Sequence, residues 1–198
     1  MIDAGLVVDL SPMREVTVDQ AARRVRAGGG ALLGDLDAAT QAHGLVVPAG
    51  VVSETGVAGL TLSGGLGWVR RKWGASCDSL VGATLVTAAG DVLEVTDESD
   101  PELLWGLRGG GGNFGVVTEL VFEAYPLGPE VAFVFVLYPL ESAQRIFAEH
   151  ERLVEAIGDE VSTIVVLGHV PPIEDFAARL HGVPYAAIVG MYAGGASD

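Results

Sequence analysis

Short runs that alternate apolar and polar positions with a period of two are interleaved along this chain with runs spaced as helices, which predicts an α+β fold. Leu6–Leu10 is an apolar run closed by Ser11-Pro12. Glu15–Asp19 sets Val16 and Val18 inward and Glu15, Thr17 and Asp19 outward, and Arg23–Ala27 continues the alternation. These read as three strands of a small antiparallel meander, ended by Gly28-Gly29-Gly30. From Ala31 to His43 the spacing of Leu32, Leu33, Leu36 and Ala39 predicts a helix, with Gly44 as its stop. His43 at that end reads as a partner of the helix dipole rather than a catalytic group. Leu80–Thr87 and Val92–Thr96 flank Ala88-Ala89-Gly90-Asp91 as a hairpin. Asp100 as N-cap with Pro101 behind it starts a helix that runs into Arg108 and four glycines. Val116–Tyr125 and Val131–Tyr138 are strands divided by Pro126-Leu127-Gly128-Pro129, the expected domain boundary.

Beyond that turn, Glu141–Ile157 is an amphipathic helix with Ala143, Ile146, Phe147, His150, Leu153, Val154 and Ile157 in one stripe. His150 reads as a packed histidine, because no second ligand sits at metal spacing on its face. Val161–Gly168 and Ala186–Ala193 are further strands, separated by Pro171-Pro172 and a short helical piece near Asp175–Leu180.

One stretch fits neither period. Pro48–Gly74 carries glycines at 50, 56, 59, 64, 65, 67 and 74 among small and apolar residues and ends near Arg70-Arg71-Lys72. Glycine is used where backbone must approach something closely or take positive φ, and each one costs folding entropy. Either a ligand lies along exposed backbone N–H groups here, or the chain makes a tightly turned crossing through its own core.

Charge narrows the partners. The chain has 198 residues, 26 acidic against 11 basic, for a net charge of −15, which argues against nucleic acid and anionic membranes. No apolar run approaches the roughly 20 residues that span a bilayer. The N-terminus lacks the basic and apolar regions of a signal peptide. Cys77 is the single cysteine, so no intramolecular disulfide forms; a buried, inert thiol in a reducing compartment, the cytoplasm, is expected.

Gly110, Gly112 and Gly115 spell G-x-G-x-x-G, but a dinucleotide fingerprint needs strand, turn and then helix, and here a helix precedes and a strand follows. No Walker A, G-x-S-x-G or H-E-x-x-H sequence occurs. Two glycine-rich loops remain, 50–67 and 109–115, each placed between strands. AGVVSETGVAGLTLSGGLGWVRRKWGASCDSLVGATLVTAAGDVL followed by DPELLWGLRGGGGNFGVVTELVF closely resembles the flavin domain of the PCMH-type (vanillyl-alcohol-oxidase-type) FAD oxidoreductases, in their berberine-bridge-enzyme-like branch. The resemblance runs from about residue 5 to the end.

It implies an FAD-binding PCMH-type domain over residues 1–127, its second subdomain of antiparallel strands with helices, and over 128–198 the start of an antiparallel-sheet substrate domain. Gly56, Val57, Ala58, Gly59 and Leu60 match the segment that contacts the cofactor through the main chain, and Val117 a position whose backbone meets the adenine end. Val52 matches the cysteine that joins the flavin in bicovalent members; valine cannot form that bond. Arg70-Arg71-Lys72, with Trp73, match a basic turn that either touches phosphate or ribose or is a solvated helical face. The family's N-terminal βαβ unit, with its R-x-G-G-H-S-like loop and flavin-linking histidine, has no counterpart, and the substrate domain is expected to continue past Asp198. His43, His150, His169 and His181 match no flavin-linking position, so FAD is expected to be non-covalent, and no catalytic residue is assigned. The implied function is hydride transfer from a small organic substrate to flavin N5, then to O2 or another acceptor. The alternatives are an inactive fragment or split-protein piece that binds FAD weakly or not at all, and an apolar-ligand module that has lost the flavin.

Overall fold

The computed structural model describes residues 5–194, which divide into two units after Pro129. The first is built on five antiparallel strands: β1 (Val16–Asp19), β2 (Arg24–Gly28), β4 (Leu80–Val86), β5 (Val92–Thr96) and β6 (Val116–Glu123), in the order β1-β2-β6-β4-β5. A separate ribbon pairs β3 (Leu45–Val46) with β7 (Tyr125–Pro126). The helices are α1 (Leu33–Gln41), α2 (Val57–Leu62), α3 (Arg70–Trp73) and α4 (Pro101–Leu107).

Alternation along the strands puts one face of the sheet into the core. Val25, Ala27, Leu85, Val95, Val117, Leu120 and Phe122 are buried there with Leu33 and Leu36 of α1, Val57 of α2, and Leu104 and Leu107 of α4. A fully buried side chain of this size is worth about 1.5–3 kcal/mol, so this cluster holds the unit together. The other face carries cross-strand ion pairs such as Arg26–Glu119 at 2.7 Å. These are exposed and contribute little.

The helix ends follow their sequence signals. Asp100 accepts the Leu103 N–H at 3.0 Å, with Pro101 in the first turn of α4. Gly44, at φ +63°, ends the α1 region, and His43 lies just beyond the helix. At the other end of α1, Asp35 reaches back to the Leu32 N–H at 2.9 Å and receives Arg14 at 2.8 Å. The Leu32 N–H first, and the Arg14 guanidinium second, hold the Asp35 carboxyl below its ordinary value. A lowered folded-state pKa means that this contribution is present above the unfolded carboxylate pKa, about 3.9, and is lost as pH falls through the lower folded value. Asp35→Ala is expected to cost about 1 kcal/mol at pH 7. It should also flatten the acid limb of a stability–pH curve below about pH 4, as followed by urea melts.

Several expectations change. Leu6–Leu10 forms no strand: Leu6 is 92% exposed, and no described strand supplies the ladder an extended run needs. The meander is therefore a single hairpin, β1–β2, turned through Arg23 at φ +51°. The glycine-rich stretch is not an open loop between strands, since it contains α2 and α3, and the second glycine loop lies between α4 and β6. The β3–β7 ribbon was not legible, because two residues carry no period.

The second unit is a three-stranded antiparallel sheet in the order β8-β10-β9: β8 (Ala132–Pro139), β9 (Val161–His169) and β10 (Pro184–Tyr192), with α5 (Ala143–Ala156). Pro184 opens β10, a position where a missing N–H is tolerated. Only part of the expected α5 stripe faces inward. Ile146 is buried and Ala143, His150 and Val154 half-buried, while Phe147 and Leu153 flank that line and are exposed. His150 Nε2 lies 2.9 Å from Thr163 Oγ1 on β9, the packed histidine expected. The short helical piece is a single 3₁₀ turn, Ala178–Leu180. β8 is an edge strand with no charged residue, and Phe133, Val134, Phe135 and Val136 are all exposed. Among the described residues no helix is long and apolar enough to cross a membrane.

Candidate functional site

The glycines of the first unit fall into two classes when a Cβ is placed on each. Gly67 would put it 1.6 Å from the Ala49 carbonyl oxygen, Gly50 2.6 Å from Leu60 Cδ1, and Gly65 2.4 Å from Leu60 Cδ2. These serve a tight crossing of the chain over itself. Gly56, Gly59, Gly64, Gly111 and Gly112 meet nothing within 4 Å. Gly64 and Gly111 take φ of +109° and +88°, which accounts for them. Neither contact nor positive φ calls for glycine at Gly56 or Gly59. The tight-crossing reading holds at Gly50, Gly65 and Gly67 and does not extend to Gly56 and Gly59.

The open glycines sit on a braced frame. Leu33 N–H donates to Thr55 O, Gly34 N–H to Ser53 O and Val57 N–H to Ala31 O, so residues 52–57 run antiparallel to the start of α1. Gly56 is then the N-cap of α2, with Val57 buried beneath it and Gly59 exposed. At the far end of α2, Gly111 N–H donates to Leu62 O at 2.7 Å, bringing the second glycine loop against the first. Ser76 N–H donates to Gly65 O and Cys77 N–H to Gly64 O. Beneath them a buried bond joins Thr61 Oγ1 and Ser76 Oγ at 2.8 Å. Thr61 and Ser76 were missed in the sequence, where a Thr–Ser pair fifteen residues apart gives no signal; Gly111 falls in the loop 109–115 that the sequence singles out.

Of the residues singled out by resemblance, Val52 is exposed on the strap before α2. Val57 has its N–H committed to Ala31 and Leu60 its N–H to Gly56, which leaves Ala58 and Gly59 as first-turn donors without an intrahelical partner. Val117 is 4% exposed in β6, its side chain in the core. A Cβ on Gly29 would stand 2.3 Å from the Val117 carbonyl oxygen, so Gly28-Gly29-Gly30 is a close crossing rather than a mere break. Arg70-Arg71-Lys72 form the helical turn α3. Arg70 Nη1 caps the Gly67 carbonyl at 2.9 Å, and Lys72 Nζ lies 5.0 Å over the Trp73 ring, which stacks on Tyr125 at 5.1 Å.

Cys77 is 9% exposed, and burial, then the neighbouring Asp78 carboxylate, push its thiol above the ordinary value. The folded protein is therefore expected to react with Ellman's reagent at pH 8 at least a hundredfold more slowly than in 6 M guanidinium, as followed at 412 nm (about 1 in 4 thiols of pKa 8.5 being ionised there). Among the described residues no cluster of three or more His, Cys, Asp or Glu could hold a metal ion.

What this wall can hold follows from its chemistry. It offers backbone N–H donors, small residues and exposed Val51, Val52 and Leu66, with Glu54 the one charged residue between Gly50 and Gly67. Neutral main-chain donors suit a phosphate diester, and small residues suit a flat, extended ligand. Residues 1–96 match the FAD binding domain family. The (R)-6-hydroxynicotine oxidase of Paenarthrobacter nicotinovorans is 42% identical over 136 residues, 69% of this chain and 30% of that protein. The solved structure of 6-hydroxy-D-nicotine oxidase from Arthrobacter nicotinovorans superimposes with a TM-score of 0.85 at 33% identity, covering 99% of this chain and 42% of that one. A berberine-bridge-enzyme-like protein of Arabidopsis thaliana superimposes with a TM-score of 0.83 at 25% identity, covering 96% and 38%.

Residues 1–96 belong to the FAD binding domain family, and the chain is similar to FAD-linked oxidoreductases, a berberine-bridge-enzyme-like protein among them. It spans about 30% of the length of the curated relatives it matches. Its antiparallel α+β architecture is the one expected, shared with those solved structures. At Gly56 and Gly59 an added side chain would occupy space that the protein itself leaves empty, so the residues present leave room for a cofactor such as FAD.

Proposed function

We propose that this chain binds FAD non-covalently, with Gly56, Val57, Ala58, Gly59 and Leu60 along the cofactor and main chain at Val52 and Val117 also against it, and that it serves oxidation of a small organic substrate. The observation that carries this reading is the open space at Gly56 and Gly59. Bound FAD would supply hydride acceptance at N5 and onward electron transfer, commonly to O2. The chain's own part is to bind and orient. Ala58 and Gly59 present N–H groups, the absent side chains of Gly56 and Gly59 allow close approach, and the Thr61–Ser76 bond and Gly111 N–H keep the wall rigid. Val52 offers no thiol, and Cys77 is buried under Gly64, which supports non-covalent binding. The substrate class draws support from the relative named as a 6-hydroxynicotine oxidase. The domain roles follow the same reading, with FAD on residues 1–127 and part of a substrate domain on 128–198. A charge of −15 and a single thiol support a cytoplasmic protein without nucleic-acid or membrane partners.

The test is a visible spectrum of the purified chain mixed with FAD and then desalted. Retained flavin bands, released into the supernatant by acid precipitation, are expected. A colourless folded protein would favour the inactive-fragment reading, and flavin left in the pellet would overturn non-covalent binding.

A further inference from the structure

The connection between the antiparallel neighbours β9 and β10 borders a half-open groove that the flavin reading does not use. Val170 N–H donates to Val183 O and Gly182 N–H to Val170 O, so the two ends of the connection are tied. Inside it, His181 Nε2 lies 3.2 Å from Ile173 O and 3.0 Å from Phe176 O, one ring nitrogen serving two carbonyls. Phe176 N–H donates to Ile173 O and Leu180 N–H to Ala177 O. With its polar groups engaged in this way, the connection turns apolar side chains onto the end of the sheet. They line a half-open groove of about 370 Å³, with Leu180 and Val183 on its exposed rim. Its volume lies within the range of small-molecule sites, about 300–1,000 Å³.

The lining states the chemistry. Leu137, Phe176, Leu180 and Val183 make it apolar, Tyr185 adds a phenol ring, and Glu141 is the one charged residue among the lining. A Cβ on Gly168 would stand 3.0 Å from the Tyr185 hydroxyl, so this glycine makes room for the ring. All of these residues lie in the second unit. We propose that this groove is a binding site for a compact arylalkylamine, its ring against Phe176, Leu180 and Val183 and its ammonium group toward Glu141. An anionic ligand of the same size would meet the Glu141 carboxylate with no basic lining residue to offset it.

Titration calorimetry of the whole chain, with and without FAD, tests this using tryptamine and its uncharged relative 3-methylindole. Both are expected to bind once per chain and independently of FAD, with tryptamine the tighter. Glu141→Gln should weaken tryptamine about threefold, as one exposed ion pair allows, and leave 3-methylindole unchanged. Leu180→Trp fills the groove from an exposed turn and should weaken both at least tenfold. Val183→Phe should do the same, which guards against a fold defect in either variant. Absence of saturable binding to the native chain, or affinities untouched by both filling variants, would overturn the site. Equal loss of both ligands in Glu141→Gln would overturn the assignment of the ammonium group.

Discussion

Gly67→Ala is expected to destabilise the first unit by about 2–3 kcal/mol and to lower its melting temperature by on the order of 10 °C, in differential scanning calorimetry of the chain. The added methyl carbon would sit 1.6 Å from the Ala49 carbonyl oxygen, and that partner is backbone, which cannot rotate aside as a side chain can. Gly67 is buried and lies outside the positive-φ group, so the loss arises from overpacking alone. Gly65→Ala meets Leu60 Cδ2 instead, the end of a flexible side chain, but at φ +83° it also forces an alanine into the left-handed region. Its loss should be of similar size with a different origin, which a glycine-like D-alanine at that position would relieve. A melting temperature within 2 °C of the native value for Gly67→Ala would show that the strap carrying Ala49 shifts freely, and would remove the tight-crossing account of this part of the stretch (a shift that small corresponds to about 0.5–1 kcal/mol).

How far the sequence reaches depends on how local the cause is. Asp100-Pro101, Gly44 and Gly90 act within four residues of themselves, and each stands where its pattern placed it. β2, β4, β5 and β6 were legible because one buried face imposes a period of two over five to eight residues. Leu6–Leu10 has the composition of a strand but no described partner, and hydrogen-bond pairing is not written in composition. The α5 stripe was read too wide because Phe147 and Leu153 satisfy helical spacing, while a three-stranded sheet meets only the line through Ile146 and Val154. In the site, the resemblance placed Gly56 to Leu60 on one short segment. It could not show that the Val57 and Leu60 N–H groups are already taken, nor that Gly111 donates to Leu62, since those partners lie on other segments. Counting glycines could not separate Gly67 from Gly59 either, because the difference lies in what stands opposite each one in space.

That difference gives Gly59→Leu two effects of opposite sign. Gly59 lies in α2, is exposed, and has nothing within 4 Å of an added Cβ. Leucine is a better helix former than glycine by about 0.8 kcal/mol, so the apo chain is expected to keep its melting temperature or to gain a few degrees. The same side chain fills the space in which the proposed cofactor lies, and FAD affinity is expected to fall at least a hundredfold, a loss of about 2.7 kcal/mol measured by flavin fluorescence quenching. Gly67→Ala should do the reverse, losing stability first and FAD binding only as a consequence of unfolding. A general fold defect cannot produce this crossed pattern, because it would move both readouts together in both variants. If Gly59→Leu binds FAD as the native chain does, the cofactor does not lie over α2, and the glycine at this position is without a physical reason in the site proposed. If it loses FAD while its melting curve holds, the open glycines are the floor of the cofactor cradle and the crowded ones are its frame.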